Sequence, residues 1–190
     1  MPTTRVLLAR HGETEWNRLG RWQGHADPPL NELGRRQAAV LAEQLAGDGV
    51  AAIYSSDLRR ASETARIVAD RLGLDVTERP ELREMDVGSW SGLTIDEVRA
   101  RFPEAYDRWR AGELGHDGET REELGLRVVP AVEAIAAAHA GRDVLLVTHG
   151  GVIRALRRHA AGDPGESLEN GATLALALVE GKLVVHDAER

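Results

Sequence analysis

The sequence predicts an α/β fold: a three-layer α/β/α sandwich on a mostly parallel sheet with an antiparallel edge strand. Two observations lead to this prediction. Short aliphatic runs typical of buried strands recur along the 190 residues, and segments with helical periodicity fill most of the intervals between them. The last two runs are separated by only three residues, which indicates a hairpin and antiparallel pairing at the sheet edge.

Five segments carry the strand pattern, and they span residues 6–9, 50–54, 144–148, 173–179 and 183–186. Alternation with helices favours parallel pairing of the first three. The final hairpin turns at Glu180-Gly181-Lys182. As an edge, it is open to pairing with a second copy of the chain in a homodimer, or to protection by the charges of Lys182 and Asp187.

Helix start and stop signals lie between the strands. Asn31 is placed to cap a helix over residues 32–45, and Asp57 one over 58–72, with glycines after each. Residues 112–118, with a glycine at both ends, are expected to form the most mobile loop.

Three more helices are predicted in the second half of the chain. Thr94 and Thr120 each begin a capping-box sequence. Pro130 predicts a kink in the second of these helices or a later start. Gly150-Gly151 opens an apolar helix over residues 152–161.

The composition indicates one globular domain over residues 1–190, with 42% hydrophobic and 29% charged residues. The net charge is −7 and basic residues form no block, so neither a nucleic-acid surface nor a polybasic membrane patch is expected. Cysteine is absent, which excludes disulfides and a thiolate nucleophile. No stretch is long and apolar enough for a signal peptide or a membrane span, so we expect a cytoplasmic location.

Residues suited to chemistry stand at the ends of two predicted strands. Arg10-His11-Gly12-Glu13 follows the first, which aims an imidazole and a guanidinium out of a sheet edge. Alone, this pattern fits a surface histidine equally well. The third strand, however, ends in Thr148-His149-Gly150-Gly151. Because α/β proteins bind ligands at the carboxyl edge of a parallel sheet, the two histidines together indicate a site there.

Two further segments add to this edge. Residues 55–61 end a strand and begin a helix, which brings backbone N–H groups and an arginine, Arg59 or Arg60, to the same place. Residues 82–92 form a loop rich in glycine that carries Glu84 and Asp86. Two histidines, two arginines and a glutamate together predict phosphoryl transfer.

These motifs, in this order, resemble those of the histidine phosphatase superfamily, the phosphoglycerate mutase-like group, over nearly the whole chain. The matching segments are Arg10-His11-Gly12-Glu13-Thr14, Asn17, Gln23-Gly24, residues 30–34, 55–64 and 82–92, and Thr148-His149-Gly150.

The resemblance implies a role for each site residue. His11 becomes phosphohistidine, and Glu84 donates a proton to the leaving alcohol. The phosphoryl oxygens are gripped by Arg10, Arg60, Asn17 and His149. The substrate is also bound by Gln23, Gly24 and Gly150. No metal and no cofactor are implied.

Phosphate chemistry makes independent demands on these residues. A monoester spreads about two negative charges over its oxygens, and Arg10, Arg60 and a protonated His149 would supply three positive charges without a metal. His11 has to be neutral, with one nitrogen free and the other donating a hydrogen bond, which we expect a backbone carbonyl to accept. Glu84 has to hold a proton, which burial or the substrate dianion would favour.

Several residues have a second interpretation. The register of the resemblance favours Arg60 over Arg59 as the ligand and Glu84 over Asp86 as the acid. His25 adjoins Gln23-Gly24 and is a candidate substrate contact, whereas the remaining histidines are expected at the surface: His116, His139, His159 and His186. Other candidates for the pocket wall, each with a plain packing or surface alternative, are Trp22, Trp90, Trp109, Arg108 and Arg110.

Three functions follow as hypotheses: a metal-independent phosphomonoesterase acting on a small metabolite, a cofactor-dependent phosphoglycerate mutase, and a non-catalytic phosphate-binding module. The resemblance implies an arginine directly after the acid in mutases, whereas Met85 stands there in this chain. The segment 102–118 is also shorter than in mutases, which would leave phosphohistidine open to water. All catalytic positions are filled, so the sequence favours the phosphomonoesterase.

Overall fold

The computed structural model describes residues 3–113 and 117–186, and within these ranges one six-stranded sheet forms the centre of the molecule. The strands are β1 (Thr4–Arg10), β2 (Val50–Ser55), β3 (Val76–Glu78), β4 (Asp143–Thr148), β5 (Thr173–Val179) and β6 (Lys182–Val185). Their order is β3-β2-β4-β1-β5-β6. The pairs β3–β2, β2–β4 and β4–β1 are parallel, and the β5–β6 hairpin joins β1 in antiparallel fashion.

Seven α-helices lie within the described ranges. They are α1 (Glu15–Arg18), α2 (Glu32–Leu45), α3 (Arg59–Leu72), α4 (Ile95–Arg101), α5 (Pro103–Arg110), α6 (Arg121–Ala138) and α7 (Gly150–Ala161). Two short 3₁₀ turns, Pro80–Leu82 and Gly88–Trp90, interrupt the loop between β3 and α4. No helix in the described part of the chain is long and apolar enough to cross a membrane.

The two central strands are buried on both faces, because their side chains alternate between two hydrophobic clusters. Leu7 and Leu145 belong to the cluster that includes side chains of α2 and α3. Leu8 and Leu146 belong to the opposite cluster, which includes side chains of α6 and α7. The structure therefore confirms the predicted three layers, the mostly parallel sheet and its antiparallel edge.

The predicted elements are all present, with some local differences. The sequence reasoning missed β3, which is only three residues long, and the short helices α1 and α5. Of the expected mobile loop 112–118, residues 114–116, including His116, lie outside the described ranges, as does Asp187.

One prediction about a helix end is wrong. Asp57 does not cap α3: Leu58 precedes the helix without a side-chain cap, and the Asp57 carboxylate instead pairs with Arg83. Of the two outcomes predicted from Pro130, a kink or a late start, the late start is excluded, since the Thr120 capping box starts α6 at Arg121 and the helix continues through Pro130. The predicted caps at Asn31 and Thr94 are confirmed.

A close backbone contact fixes the segment after β1. An added Cβ on Gly12 would overlap the carbonyl of Gly34, and one on Gly34 would overlap the backbone of Glu13. Only residues without a side chain allow this approach. The chain between His11 and α1 is therefore held against the first turn of α2.

We expect Gly34→Ala to lower the melting temperature by about 5 °C or more, because overpacking against backbone costs about 1–3 kcal/mol in the free energy of unfolding. Gly125→Ala is the matched control: it lies in α6 with nothing near its Cβ position, and a helical alanine there should slightly stabilise the chain. Thermal unfolding followed by circular dichroism measures both. Equal melting temperatures would show that the Gly12–Gly34 contact is not tight.

Candidate active site

The two histidines meet because β1 and β4 are neighbours in the sheet. His11 follows β1 and His149 follows β4, and their ring centroids lie 5.1 Å apart. The backbone N–H of His11 donates to the carbonyl of Thr148 at 2.9 Å, which extends the strand pairing up to the site. Both rings are buried, at 3% and 0% exposure, so the sheet edge presents them in a largely dehydrated place.

A backbone carbonyl sets the tautomer of His11. Its Nδ1 lies 2.7 Å from the carbonyl oxygen of Gly12. Because a carbonyl only accepts hydrogen bonds, Nδ1 carries the proton and Nε2 keeps its lone pair. The carbonyl oxygen of His11 itself accepts a hydrogen bond from Asn170 at 2.8 Å. The ring is thus oriented with Nε2 as the free nitrogen, as the sequence reasoning expected.

Carbonyl oxygens also hold the two arginines of the site. Arg60 is fully buried at the start of α3 and donates to the carbonyls of Gly24 (2.9 Å) and Ala26 (2.7 Å). Arg10 donates to the carbonyl of Leu168 at 2.6 Å. These neutral partners orient the guanidinium groups without cancelling their charge, so both remain available to an anion.

Four buried nitrogen atoms in this site have no hydrogen-bond partner within the described chain: Nε of Arg10, Nε of Arg60, and both ring nitrogens of His149. A buried polar group without a partner costs about 1–3 kcal/mol in the free energy of folding. Such groups are therefore rare in native proteins, and several of them together indicate a binding site. Their grouping around His11 is what a site for an anion with several oxygens requires.

Burial and positive charge act together on the two rings. The pKa of His11 lies well below its usual value, mainly because the ring is buried and also because Arg60 and Arg10 are near. The pKa of His149 is lowered in the same way, by burial and then by Arg60. Burial lowers the pKa of Arg60 to about 10, so it stays charged at neutral pH. His149 is therefore neutral in the free chain, and only two of the three expected positive charges are present before substrate binds.

These shifts predict that stability falls as the solution becomes acidic. The unfolded chain protonates its histidines near pH 6.5, whereas the buried rings of His11 and His149 stay neutral, so the unfolded state binds more protons. Between about pH 6.5 and pH 5 each ring should reduce the free energy of unfolding by up to about 1.4 kcal/mol per pH unit. Urea unfolding at several pH values measures this slope. His149→Asn should make the slope shallower, and an unchanged slope would contradict the assignment.

Glu84 lies on the loop after the first 3₁₀ turn and reaches the same site. One carboxylate oxygen accepts the backbone N–H of Met85 at 2.8 Å, and the other accepts that of Gly151 at 3.1 Å. The carboxyl group is thereby fixed between its own loop and the first turn of α7. It lines the cavity above His11, where it can exchange a proton with a bound group.

We expect Gly151→Ala to lower kcat by about 10- to 100-fold, because an added Cβ would overlap Oε1 of Glu84 and displace the carboxyl group. Position 151 lies in a helix, where alanine is favourable, so the melting temperature should change little. Steady-state kinetics on a phosphate monoester of an alkyl alcohol checks the prediction, with Gly125→Ala as control. An activity equal to that of the control would mean that the position of Glu84 does not matter.

The remaining predicted substrate residues lie in two adjoining cavities. The phosphoryl cavity is lined by Arg10, His11, Asn17, Gln23, Arg60 and Glu84. The lateral cavity begins at Arg10, Glu84, Gly150 and Gly151 and has a volume of about 290 Å³. Gly24 instead acts on Arg60 through its carbonyl. The structure thus brings the predicted residues together, except that Gly24 contacts Arg60 and does not itself line either cavity.

The alternative candidates take other places. Arg59 is exposed, and its backbone N–H donates to Asp27. Asp86 accepts a hydrogen bond from Gly88 in its own loop. His25 contacts the carbonyl of Glu84 at 2.9 Å, so it supports the loop that carries the acid. The register that favoured Arg60 and Glu84 agrees with these positions.

Aromatic side chains form the outer wall of the lateral cavity. Trp22 and Trp109 line it, with ring centroids 5.1 Å apart, whereas Trp90 is buried beneath them. Four other candidates are exposed and lie away from this wall: Arg108, Arg110, His159 and His186. His139 is half-buried, and its ring contacts the hydroxyl of Tyr54.

Sequence reasoning missed five residues at the site. Leu168 and Asn170 orient Arg10 and His11 from a loop without a recognisable pattern. The lateral cavity is also lined by Arg121, Arg154 and Arg158. The spacing of Arg154 and Arg158, four residues apart in the helix after His149, was a signal for two of them. Within residues 3–113 and 117–186 no cluster of three or more histidine or acidic side chains could hold a metal ion.

Comparisons with known proteins agree with this geometry. The family described as histidine phosphatase superfamily (branch 1) matches residues 6–183. A metal-independent phosphoserine phosphatase of Arabidopsis thaliana is 43% identical over 159 residues, which are 80% of this chain and 67% of the relative. A glucosyl-3-phosphoglycerate phosphatase of Mycolicibacterium vanbaalenii is 42% identical over 173 residues, 86% of this chain and 77% of the relative.

Solved structures show the same fold. YhfR of Bacillus stearothermophilus superposes with a TM-score of 0.90 at 34% identity, covering 96% of this chain and 95% of that protein. Other relatives carry the names of phosphoglycerate mutases or mutase-like proteins. With a family match over nearly its whole length and relatives named as phosphatases, this chain belongs to branch 1 of the histidine phosphatase superfamily and is a phosphoric monoester hydrolase.

Proposed function

We propose that this protein hydrolyses a small phosphorylated metabolite without a metal ion, through a phosphohistidine formed at His11. Arg10, Arg60, His149 and Asn17 hold the phosphoryl oxygens, and Glu84 acts as acid and then as base. The observation that carries the proposal is the group of four unpartnered buried nitrogen atoms around the free Nε2 of His11. A phosphoryl group supplies acceptors for the N–H groups of Arg10 and Arg60 and for the ring nitrogen of His149 that carries a proton.

The first step transfers the phosphoryl group. Nε2 of His11 donates its lone pair to phosphorus while the bond to the alcohol oxygen breaks, and the proton on Glu84 moves to that oxygen. The positive charge that develops on the imidazole is stabilised by the Gly12 carbonyl at Nδ1. Arg10 and Arg60 stabilise the charge on the phosphoryl oxygens throughout.

The second step releases phosphate. Glu84, now ionised, takes a proton from a water molecule whose oxygen attacks the phosphorus, and the bond to Nε2 breaks with its electron pair returning to the ring. The carboxyl group is then protonated and Nε2 is free, as at the start. Bond formation and proton transfers balance without a metal.

The direct test is hydrolysis of an aryl phosphate in the presence of EDTA, with phosphoryl-enzyme trapped by rapid quenching in alkali, where phosphohistidine is stable. We expect turnover that the chelator leaves unchanged and a phosphorylated peptide that contains His11. Phosphate binding without turnover or trapped phosphohistidine at any pH would instead identify a non-catalytic binding module.

The mutase hypothesis has its own outcome. Met85 lines the lateral cavity directly beside Glu84, so the position where the resemblance implies a mutase arginine is uncharged. A mutase would convert 3- to 2-phosphoglycerate under stimulation by 2,3-bisphosphoglycerate and release little phosphate. We expect free phosphate and no isomerisation.

Relatives named for phosphoserine and for glucosyl-3-phosphoglycerate support a small metabolite as the substrate here. We also propose that residues 1–190 form a single domain that acts in the cytoplasm. A homodimer through the β5–β6 edge is a further proposal, which light scattering on the purified chain tests directly: a monomer at all concentrations would exclude it.

A further inference from the structure

The lateral cavity joins the phosphoryl site to a second cationic region. At one end are Arg10 and Glu84, which face the phosphoryl group and its leaving oxygen under the proposed function. At the other end are Arg121, Arg154 and Arg158. The part of a substrate beyond the leaving oxygen therefore extends toward three guanidinium groups.

Two helices bring these arginines together. Arg154 and Arg158 are four residues apart in α7, so they lie on one face of that helix. Arg121 is the first residue of α6, which packs beside α7. Its guanidinium lies 5.8 Å from the centroid of the Trp109 ring and donates to the Trp109 carbonyl at 3.2 Å. The aromatic wall thus holds Arg121 in place without neutralising it.

Within the described part of the chain, none of these arginines is paired directly with a carboxylate, although Glu119 and Glu122 line a neighbouring cavity together with Arg121 and Arg158. Burial lowers the pKa of Arg121, and the next contributions come from the positive charges of Arg158 and Arg154. Among the described residues, no ion pair within 4.0 Å joins any of the three to a carboxylate, whereas many surface arginines of this chain have such a partner, for example Arg35 with Glu63. Like charges four residues apart also disfavour a helix. Arg154 and Arg158 are exposed and Arg121 is half-buried, so the guanidinium groups that line the cavity are accessible to an anion.

We propose that Arg121, Arg154 and Arg158 form a subsite for a second anionic group, a carboxylate or a second phosphate, on the alcohol part of the substrate. The inference rests on the proposed phosphatase function and narrows its substrate class to small metabolites that carry a second anionic group in addition to the phosphoryl group. The cavity volume of about 290 Å³ admits a group of a few carbon atoms between the two anions. Planar guanidinium forks bind both carboxylate and phosphate oxygens in pairs.

The test compares substrates that differ in one group. The first pair is 3-phosphoglycerate and glycerol 3-phosphate, which differ by a carboxylate in place of a hydroxymethyl group. The second pair is propane-1,3-diol bisphosphate and propyl phosphate. We expect kcat/KM to favour the anionic member of at least one pair by about tenfold or more. The pair that shows the preference identifies the anion as carboxylate or phosphate.

Variants locate the preference. In Arg154→Gln/Arg158→Gln and in Arg121→Gln, the preference for the anionic member should fall by about tenfold, mainly through KM. The kcat/KM for propyl phosphate, whose alcohol carries no second anionic group, should change much less than this preference does. Arg36→Gln, on the exposed side of α2, is the matched control and should leave every ratio unchanged.

The outcomes separate the two proposals. If the wild-type chain does not hydrolyse p-nitrophenyl phosphate, the phosphatase function itself is wrong. If it does, but treats both members of each pair alike, the anionic subsite is wrong while the function stands. A preference that survives in both arginine variants would likewise overturn the subsite.

Discussion

Replacing His11 by alanine should reduce hydrolysis of an aryl phosphate by about 10³-fold or more, because the substitution removes Nε2, whose lone pair attacks phosphorus in the proposed mechanism. The effect should lie in kcat, and no phosphoryl-enzyme should be trapped on rapid quenching. Phosphate should still bind, since Arg10 and Arg60 are held by backbone carbonyls independently of the His11 ring.

His159→Ala is the control for this substitution. His159 is exposed on α7, 3.7 Å from Glu133, and its loss should leave turnover unchanged. Full activity in His11→Ala, or phosphoryl-enzyme of unchanged yield, would mean that the nucleophile lies elsewhere. The melting temperature of each variant shows whether a loss of activity reflects chemistry or unfolding.

Glu84→Gln should have the second-largest effect, and the size of that effect should depend on the leaving group. With an alkyl phosphate, whose alkoxide is a poor leaving group, we expect kcat to fall by about 10²–10⁴-fold. With p-nitrophenyl phosphate the loss should be much smaller, since p-nitrophenolate leaves without a proton. Glutamine retains an oxygen that can accept one backbone N–H bond, so the loop geometry is largely preserved.

Asp86→Asn provides the matched comparison. Asp86 is the other carboxylate of the same loop, accepts a hydrogen bond from Gly88 and lies 4.0 Å from His25. Its substitution should lower activity on alkyl and aryl substrates equally, if at all. A dependence on the leaving group in Asp86→Asn rather than in Glu84→Gln would reverse the assignment of the acid.

The fold was largely predictable because its signals are local. The aliphatic runs of β1, β2 and β4 identify buried strands, and the caps at Asn31, Thr94 and Thr120 depend on side chains within three residues. Asp57 shows where local reasoning fails. Its sequence position suits a cap, but an arginine 26 residues away, Arg83, binds the same carboxylate.

The site residues show the same difference between local sequence signals and contacts made by residues distant in the chain. His11, Arg10 and His149 follow strands and were found from their motifs, and Arg60 and Glu84 from the order in which the motifs occur. Asn170 and Leu168 were not found, because their contribution is a contact across more than 150 residues of chain rather than a pattern. Arg121 was missed because its place at the cavity depends on the packing of α6 beside α7, which no local pattern indicates.

The sequence by itself therefore determined the layers of the fold and the family, and it supplied the residues proposed here as the reacting groups, since these depend on periodicity and on short motifs. Only the tertiary structure decided the state of those groups. The free nitrogen of His11, the neutrality of His149 and the three arginines of the lateral cavity all depend on which distant backbone and charged groups lie nearby. Hydrogen bonding, desolvation and charge interactions act over a few ångströms in space, whatever the separation along the chain.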